Sequence, residues 1–273
     1  MGRILATGTT GTIGRHFASK VEKLGIDLSK NIEIFESLPI RQSDSILHAA
    51  AIVGPSVVSK NVEHARAVNV KGVRNLATIA RNKDVSRFVY VSTSHVYAPS
   101  RDLLNESSLV APGNIYAQQK LEAENEIFDV FKDAPERICI VRVFSVLDWD
   151  VSEFTLGGGI KKLAMGVPNY ILSNADDVRD FLTPKSIAEA LIAITLNDSL
   201  IGVVNLSTGK PRTIKEAARY LLERSGFDFP TESVQQGNSS FPYMVGDNSK
   251  LLSFLPTLDL SWNPSHWSRS GHP

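Results

Sequence analysis

Short unbroken apolar runs alternate along the first two-thirds of the chain with longer stretches in which apolar positions recur every three or four residues. The unbroken runs, 3–7, 45–49, 87–92 and 137–144, predict strands buried on both faces, the condition of parallel strands covered by helices. The periodic stretches near 13–24, 62–82 and 116–131 predict the helices that cover them. Strand and helix in alternation predict an α/β fold built as a doubly wound parallel sheet.

From about Asp148 the texture changes. Gly157-Gly158-Gly159, Asn174, Pro211 and Pro230 divide the chain into smaller pieces. Thr183-Pro184 sets a cap residue before a proline at a first helical position and predicts a helix to about Leu196. Thr213 with Glu216 three residues on is a capping box for a helix ending near Gly226. These signals predict two regions: residues 1–147 as the sheet domain, and 148–273 as a smaller C-terminal α/β lobe covering substrate. The last two strands of the lobe are expected to return to the main sheet.

Composition narrows the function. Lys+Arg and Asp+Glu both number 29 among 273 residues, a net charge of +0. Such a balance offers no basic stripe for nucleic acid or for a membrane surface. The single cysteine, Cys139, lies in the apolar run Ile138-Cys139-Ile140-Val141 and is expected to be a buried structural thiol. No apolar stretch is long enough to span a bilayer. The N-terminal residues run straight into a strand, and Met1-Gly2 lacks the Ser or Thr at position 6 that myristoylation needs. A cytoplasmic enzyme without a metal site is the expectation.

Chemistry begins at residues 4–14, I-L-A-T-G-T-T-G-T-I-G, which carry glycines at 8, 11 and 14. They follow a strand and open a helical pattern, the setting of a Rossmann dinucleotide turn. Gly8 permits the tight turn, Gly11 lets a pyrophosphate approach the backbone, and Gly14 allows helix and strand to pack closely. Gly8, Thr10, Gly11, Thr12, Ile13 and Gly14 are therefore candidate cofactor contacts. The acid that grips the adenosine ribose has two candidates. In one reading Asp27-Leu28-Ser29 ends a strand, with Asp27 and Leu28 near the adenine, and a helix follows with Ile32, Phe35 and Leu38 on one face. In the other, 32–35 is the strand and Glu36 holds the ribose. In both, one βα unit is lost or shortened, and NAD and NADP stay undistinguished.

Tyr116-Ala-Gln-Gln-Lys120 opens a helical pattern, and its i, i+4 spacing sets a phenol and an ammonium on one face. A neighbouring cation stabilises tyrosinate and makes the phenol a usable acid/base. Val89-Tyr90-Val91-Ser92-Thr93-Ser94 ends a predicted strand 23 residues earlier, and open α/β sheets bind ligands beyond such ends. A hydroxyl there can hydrogen-bond a substrate carbonyl. Together these signals predict an oxidoreductase.

The glycine turn, L-H-A-A-A at 47–51, A-V-N-V-K-G-V-R-N-L at 67–76, V-S-T-S-H-V-Y at 91–97, Y-A-Q-Q-K at 116–120, V-R-D-F at 178–181 and N-L-S-T-G-K at 205–210 cover most of the chain. In these motifs it resembles an extended short-chain dehydrogenase/reductase of the NAD-dependent epimerase/dehydratase type, whose members act largely on nucleotide sugars. The resemblance implies Thr93, Tyr116 and Lys120 as the catalytic triad and Ala49, Ala50 and Ala51 as the nicotinamide-side wall. It implies Asn69 behind the active site, Ser94, His95, Ser145 and Arg179 at the substrate, and a homodimer formed through the two long helices.

Three departures stand out. Ser94-His95 occupies the place of the Asp-Glu pair that performs elimination in sugar 4,6-dehydratases, which argues against that reaction. Ser145 stands in the phosphate turn where relatives carry Asn, and Gln235-Gln236-Gly237 where they carry a phosphate-binding arginine. Arg179 remains, with Asp180 as a candidate partner. The functions expected are a ketoreductase acting on a nucleotide-activated sugar or similar carbonyl, a 4-epimerase with the same triad, or a dinucleotide-responsive binding protein without catalysis.

Overall fold

The computed structural model describes residues 2–17, 21–29, 36–149, 151, 155–237, 239 and 241–265. In chain order its first elements are β1 (Ile4–Thr7), β2 (Val21–Lys23), β3 (Ser45–His48), α1 (Pro55–Val58), α2 (Val62–Arg66), a π-helical turn (Ala67–Gly72) and α3 (Val73–Asn82). Next come β4 (Arg87–Thr93), α4 (Ile115–Val130), β5 (Ile138–Val143), β6 (Ser145–Val146), α5 (Leu156–Ala164), β7 (Val178–Arg179), β8 (Phe181–Leu182) and α6 (Pro184–Thr195). The chain continues through β9 (Gly202–Leu206), β10 (Arg212–Thr213), α7 (Ile214–Arg224), β11 (Tyr243–Met244) and α8 (Ser249–Phe254).

The main sheet has six strands in the order β2-β1-β3-β4-β5-β9, and every pair is parallel. Its apolar runs feed two cores. On one face Leu5, Ile46, Phe88 and Ile140 pack against Leu76 and Ala77 of α3 and Ile127 of α4. On the other, Ile4, Leu47, Val89 and Val141 pack against Ile187, Leu191 and Ile194 of α6. Cys139 is buried in this second core. Burial on both faces is why these strands read as continuous apolar runs rather than alternating ones.

The first crossover departs from the expected helix over 13–24. Among the described residues it holds a 3-10 turn, Gly14–His16, and then strand β2 beside β1. A helix would set Val21 and Leu24 on one face. In the sheet they fall on opposite faces, Leu24 in the core with Leu5 and Val21 against the core with Ile4, and the Leu24 N–H donates to the Ala6 carbonyl at 2.7 Å. Asp27-Leu28-Ser29 lies beyond β2 rather than ending it. Leu28 is buried, with its carbonyl against Gly72, and Asp27 is exposed in a turn in which its carboxylate accepts from the Ser29 backbone at 3.0 Å. Leu38 packs on the first core and Glu36 is exposed, whereas Ile32, Phe35 and the rival strand at 32–35 lie outside the described residues.

Beyond Asp148 a second set of elements gathers around Leu147, Trp149, Ile160, Leu172, Phe181, Leu221 and Leu222. Here β10-β7-β11 form a three-stranded sheet and β6 pairs with β8. Both capping boxes form, Thr183 with Ser186 and Thr213 with Glu216. One strand of this region, β9, rejoins the main sheet beside β5, where two had been expected.

Asp180 ties the two parts together. It is fully buried, and its carboxylate accepts from Thr208 N (2.7 Å), Thr208 Oγ1 (2.6 Å), Gly209 N (2.8 Å) and Gly246 N (3.4 Å). A carboxylate surrounded by donors is costly to replace, because an amide turns its own N–H groups toward them. Asp180→Asn should therefore lower unfolding free energy by about 2 kcal/mol. A urea denaturation series against the parent protein measures the loss.

Candidate active site

The glycine turn closes on itself. Gly11 N–H donates to the Gly8 carbonyl at 3.0 Å and Arg15 N–H to the Gly11 carbonyl at 3.1 Å. Gly8 has φ +71°, and a Cβ on it would meet Ala50 N at 2.6 Å. A Cβ on Gly14 would meet the Gly8 carbonyl oxygen at 2.0 Å. Gly11 differs, because a Cβ there would meet only the Gly8 oxygen, at 3.3 Å. Gly8 and Gly14 are thus demanded by the protein's own packing, while Gly11 faces open space that a ligand can fill.

That space is a cavity of about 490 Å³ lined by Gly8, Thr10, Gly11, Thr12, Ile13 and Gly14, by Ala49, Ala50 and Ala51, and on its far wall by Val146, Val151 and Thr155. The predicted cofactor residues of the turn and of 49–51 therefore share one cleft, whereas Asp27 and Leu28 are not among its lining. Among the described residues no charged side chain lines the cleft, and backbone amides and threonine hydroxyls are the donors they offer an anion. The 3-10 turn is too short to carry a helix dipole of consequence, so the loop amides replace the helix end expected from sequence.

The wall at 49–51 is held from behind. Asn69, buried in the π-helical turn, accepts from Ile52 N–H at 2.8 Å and donates to the Ile52 carbonyl at 2.9 Å and to Gln119 Oε1 at 3.0 Å. Its amide is spent on structure, and through Gln119 it links this wall to α4, which carries Tyr116 and Lys120.

Thr93 ends β4, the strand between β3 and β5, and Tyr116 and Lys120 occupy the first turns of α4. Asn114 caps that helix, its side chain accepting from Ala117 N–H at 2.9 Å. Lys120 is 2% exposed. Its Nζ donates to the Val91 carbonyl at 2.6 Å and sits 4.1 Å from the centre of the Tyr90 ring. Burial pulls its ammonium down to about 7, while Glu124 opposes the fall. Burial also raises the Tyr116 phenol well above its ordinary range. Sequence spacing predicted an acidified phenol. Without a ligand the dominant effect is desolvation, because the ammonium is turned to a carbonyl and a ring.

The remaining predicted residues take varied positions. Ser94 is buried, its hydroxyl on Met244 Sδ at 3.1 Å. His95 packs edge-on to Phe241, 6.4 Å between ring centres, and its backbone N–H donates to Thr93 Oγ1 at 3.3 Å. Burial, with Arg179 nearby, holds His95 below the usual imidazole range. Arg179 pairs with Asp177 at 3.0 Å, not with Asp180, whose carboxylate is taken by the 208–209 turn. Ser145 is half-buried, its N–H bonded to the Asp180 carbonyl at 2.9 Å. At 235–237, Gln236 Oε1 accepts from Asp176 N–H at 2.9 Å.

Sequence reasoning missed a buried cluster behind the triad. His48, directly before Ala49, has Nδ1 2.6 Å from Thr7 Oγ1 and stacks on Tyr90 at 5.7 Å. Burial, with Lys120 nearby, takes it down to about 3, so it is neutral. Glu124 pairs with Arg142 at 2.6 Å and accepts from Ser92. The signal was available, since Glu124 follows Lys120 by four residues, as Lys120 follows Tyr116.

Lys120 gives a pH test in the ligand-free protein. Its native value near 7 lies below the 10.5 of an open chain. Between the two the unfolded chain holds a proton that the native state lacks, so stability rises with pH through this window. Above about pH 9 the Cys139 thiol, pushed up to about 11, works in the opposite direction. The urea midpoint should rise between about pH 7 and pH 9, and Lys120→Met should flatten that rise. A flat parent profile would contradict a buried, depressed ammonium.

The chain resembles known proteins in sequence and in fold. The putative UDP-arabinose 4-epimerase 4 of Arabidopsis thaliana is 24% identical over 80% of the chain, and the matched region spans only 55% of that relative's length. The GDP-6-deoxy-D-talose 4-dehydrogenase of Aggregatibacter actinomycetemcomitans is 25% identical over 93% of the chain and 91% of its own length. RMD from Pseudomonas aeruginosa, solved in complex with NADPH, shares the fold with a TM-score of 0.79 at 19% identity, covering 97% of this chain and 94% of that one. No helix among the described residues is long and apolar enough to cross a membrane. Residues 4–206 match the NAD dependent epimerase/dehydratase family, and the chain belongs to that family of enzymes.

Proposed function

We propose that the protein is an NAD(P)-dependent reductase that moves hydride between a nicotinamide and a carbonyl carbon of a nucleotide-activated sugar. The observation that carries this reading is the burial of Lys120 against β4, with Tyr116 half-buried one turn before it on α4, beside strand ends whose trailing residues wall the glycine-turn cleft.

A nicotinamide bound in the cleft would supply or accept the hydride. The chain's residues do the rest. Tyr116 donates its phenolic proton to the substrate oxygen as a ketone becomes an alcohol, and takes it back in the reverse direction. Thr93 Oγ1 hydrogen-bonds the same oxygen and orients the carbonyl. Lys120, an ammonium beside the phenol, stabilises the tyrosinate left after transfer and is free to bond a ribose hydroxyl in exchange for the Val91 carbonyl. Ser94, His95, Ser145 and Arg179 are the substrate-side residues, with Arg179 the cation for a phosphate. Asp177 already engages it, so phosphate binding has to compete with an existing ion pair.

A 4-epimerase with the same triad is the second reading, supported by relatives that bear that name. Such an enzyme must retain its reduced cofactor through a full cycle. The binding-protein reading loses ground because a surface pair without catalytic duty need not be buried. A cytoplasmic homodimer, joined through the helical stretches at about 62–82 and 116–131, belongs to the same proposal, and a monomeric mass in light scattering would remove it.

Two experiments follow. Tyr116→Phe should lower kcat for ketone reduction by about 10²- to 10⁴-fold and leave cofactor affinity nearly unchanged. The assay is loss of reduced-nicotinamide absorbance with 4-keto nucleotide sugars, and interconversion of two sugars without net absorbance change would establish the epimerase instead. Gly11→Ala should keep the parent's thermal midpoint and weaken dinucleotide binding by about tenfold or more, whereas Gly14→Ala should destabilise the fold itself. Nicotinamide fluorescence and a melting curve separate the two effects.

A further inference from the structure

We propose that Glu124 is a positioning residue for the catalytic pair: its carboxylate, pinned by Arg142 and Ser92, sits one helical turn beyond Lys120 and keeps that buried side chain an ammonium behind Tyr116. This inference rests on the reductase reading of Tyr116 and Lys120 and extends it to a group that touches neither substrate nor cofactor.

The geometry is specific. Tyr116, Lys120 and Glu124 follow one another at four-residue spacing on α4, on the stripe of that helix that packs against β4. Glu124 is 1% exposed. Arg142 Nε lies 3.2 and 3.3 Å from its two oxygens and Nη2 lies 2.6 Å from Oε2, a forked arrangement that fixes the carboxylate plane. The Ser92 hydroxyl donates to Oε1. Ser92 lies between Val91, whose carbonyl receives Lys120, and Thr93 of the triad. The carboxylate therefore fixes the rotation of α4 against the strand that carries both partners of the catalytic pair.

The cluster is a buried chain of two cations around one anion. Arg142 is further steadied by the Tyr97 ring, 4.7 Å from its guanidinium carbon, and Tyr97 Oη donates to Asn205 Oδ1 at 2.7 Å. Around Lys120 stand Glu124 from its own helix, the Tyr90 ring and Val91 carbonyl from β4, and His48 from β3, with Tyr116 four residues before it on α4. His48 is neutral, and Tyr90 and Tyr116 are held protonated by burial. Glu124 is thus the one anion named among these neighbours, and it alone opposes the desolvation of the ammonium.

The test uses the whole protein and has a readout that needs no catalysis. In Glu124→Gln the pH at which stability begins to rise should move down from near 7 by about one unit or more. The shift should vanish in a Lys120→Met background. With cofactor and substrate, the alkaline fall of kcat should move down by a similar amount while dinucleotide affinity changes less than about threefold, and Glu124→Asp should bring it back toward the parent position. If Glu124→Gln does not fold, Glu124→Gln with Arg142→Gln also removes the guanidinium that has lost its partner and should shift the same way. A variant that merely lowers the urea midpoint by a constant amount at every pH, or a shift that persists without Lys120, overturns the proposal. An enzyme inactive on every ketone tested, with the stability shift present, removes the reductase reading and leaves the role of Glu124 intact.

Discussion

An ammonium withdrawn from water into a protein interior is unstable unless something replaces its hydration, and the site is organised around that difficulty at Lys120. The replacements are modest: one backbone carbonyl, the face of one ring and a carboxylate one turn away. They leave the side chain close to the point at which it loses its proton. Under the proposed reductase chemistry, a lysine so poised would lend its charge as a tyrosinate forms and withdraw it afterwards. His48, Tyr90, Ser92 and Arg142 are buried in the same region.

The cofactor side obeys a different constraint, close approach of backbone to backbone. Gly8 and Gly14 have no room for a side chain because the turn packs against itself and against Ala50, whereas Gly11 is kept bare for a ligand. Asn69 and Gln119 then join the wall at 49–52 to α4, so the cleft and the catalytic pair are set by one hydrogen-bonded frame.

Much of this was legible in the residues, for stated reasons. The strands at 45–48 and 87–93 and the helical stretch 62–82 declare themselves because both sheet faces are apolar and the helix stripe is long. The triad and the glycine turn are legible because their spacing is local. The stretch 13–24 misled because apolar residues at 13, 17, 21 and 24 satisfy a helical period, while Val21 and Leu24 in fact serve opposite faces of a strand. Long-range partners were invisible. Arg179 has acids at 177 and 180, and only the folded 208–209 turn decides that Asp180 is already taken. Phe241, which meets His95 edge-on from the C-terminal region, carries no local signal at all.

The charge state of Lys120 is the most direct measure of this account. Carbon-detected NMR of the lysine ε-carbons, with the Lys120 resonance assigned by its absence in Lys120→Met, follows that state as pH is varied in the ligand-free protein. The account predicts a midpoint near 7 that moves upward when a dinucleotide binds, as ribose oxygens take over from the strand carbonyl. A midpoint near that of a solvent-exposed lysine, unmoved by dinucleotide, would contradict it.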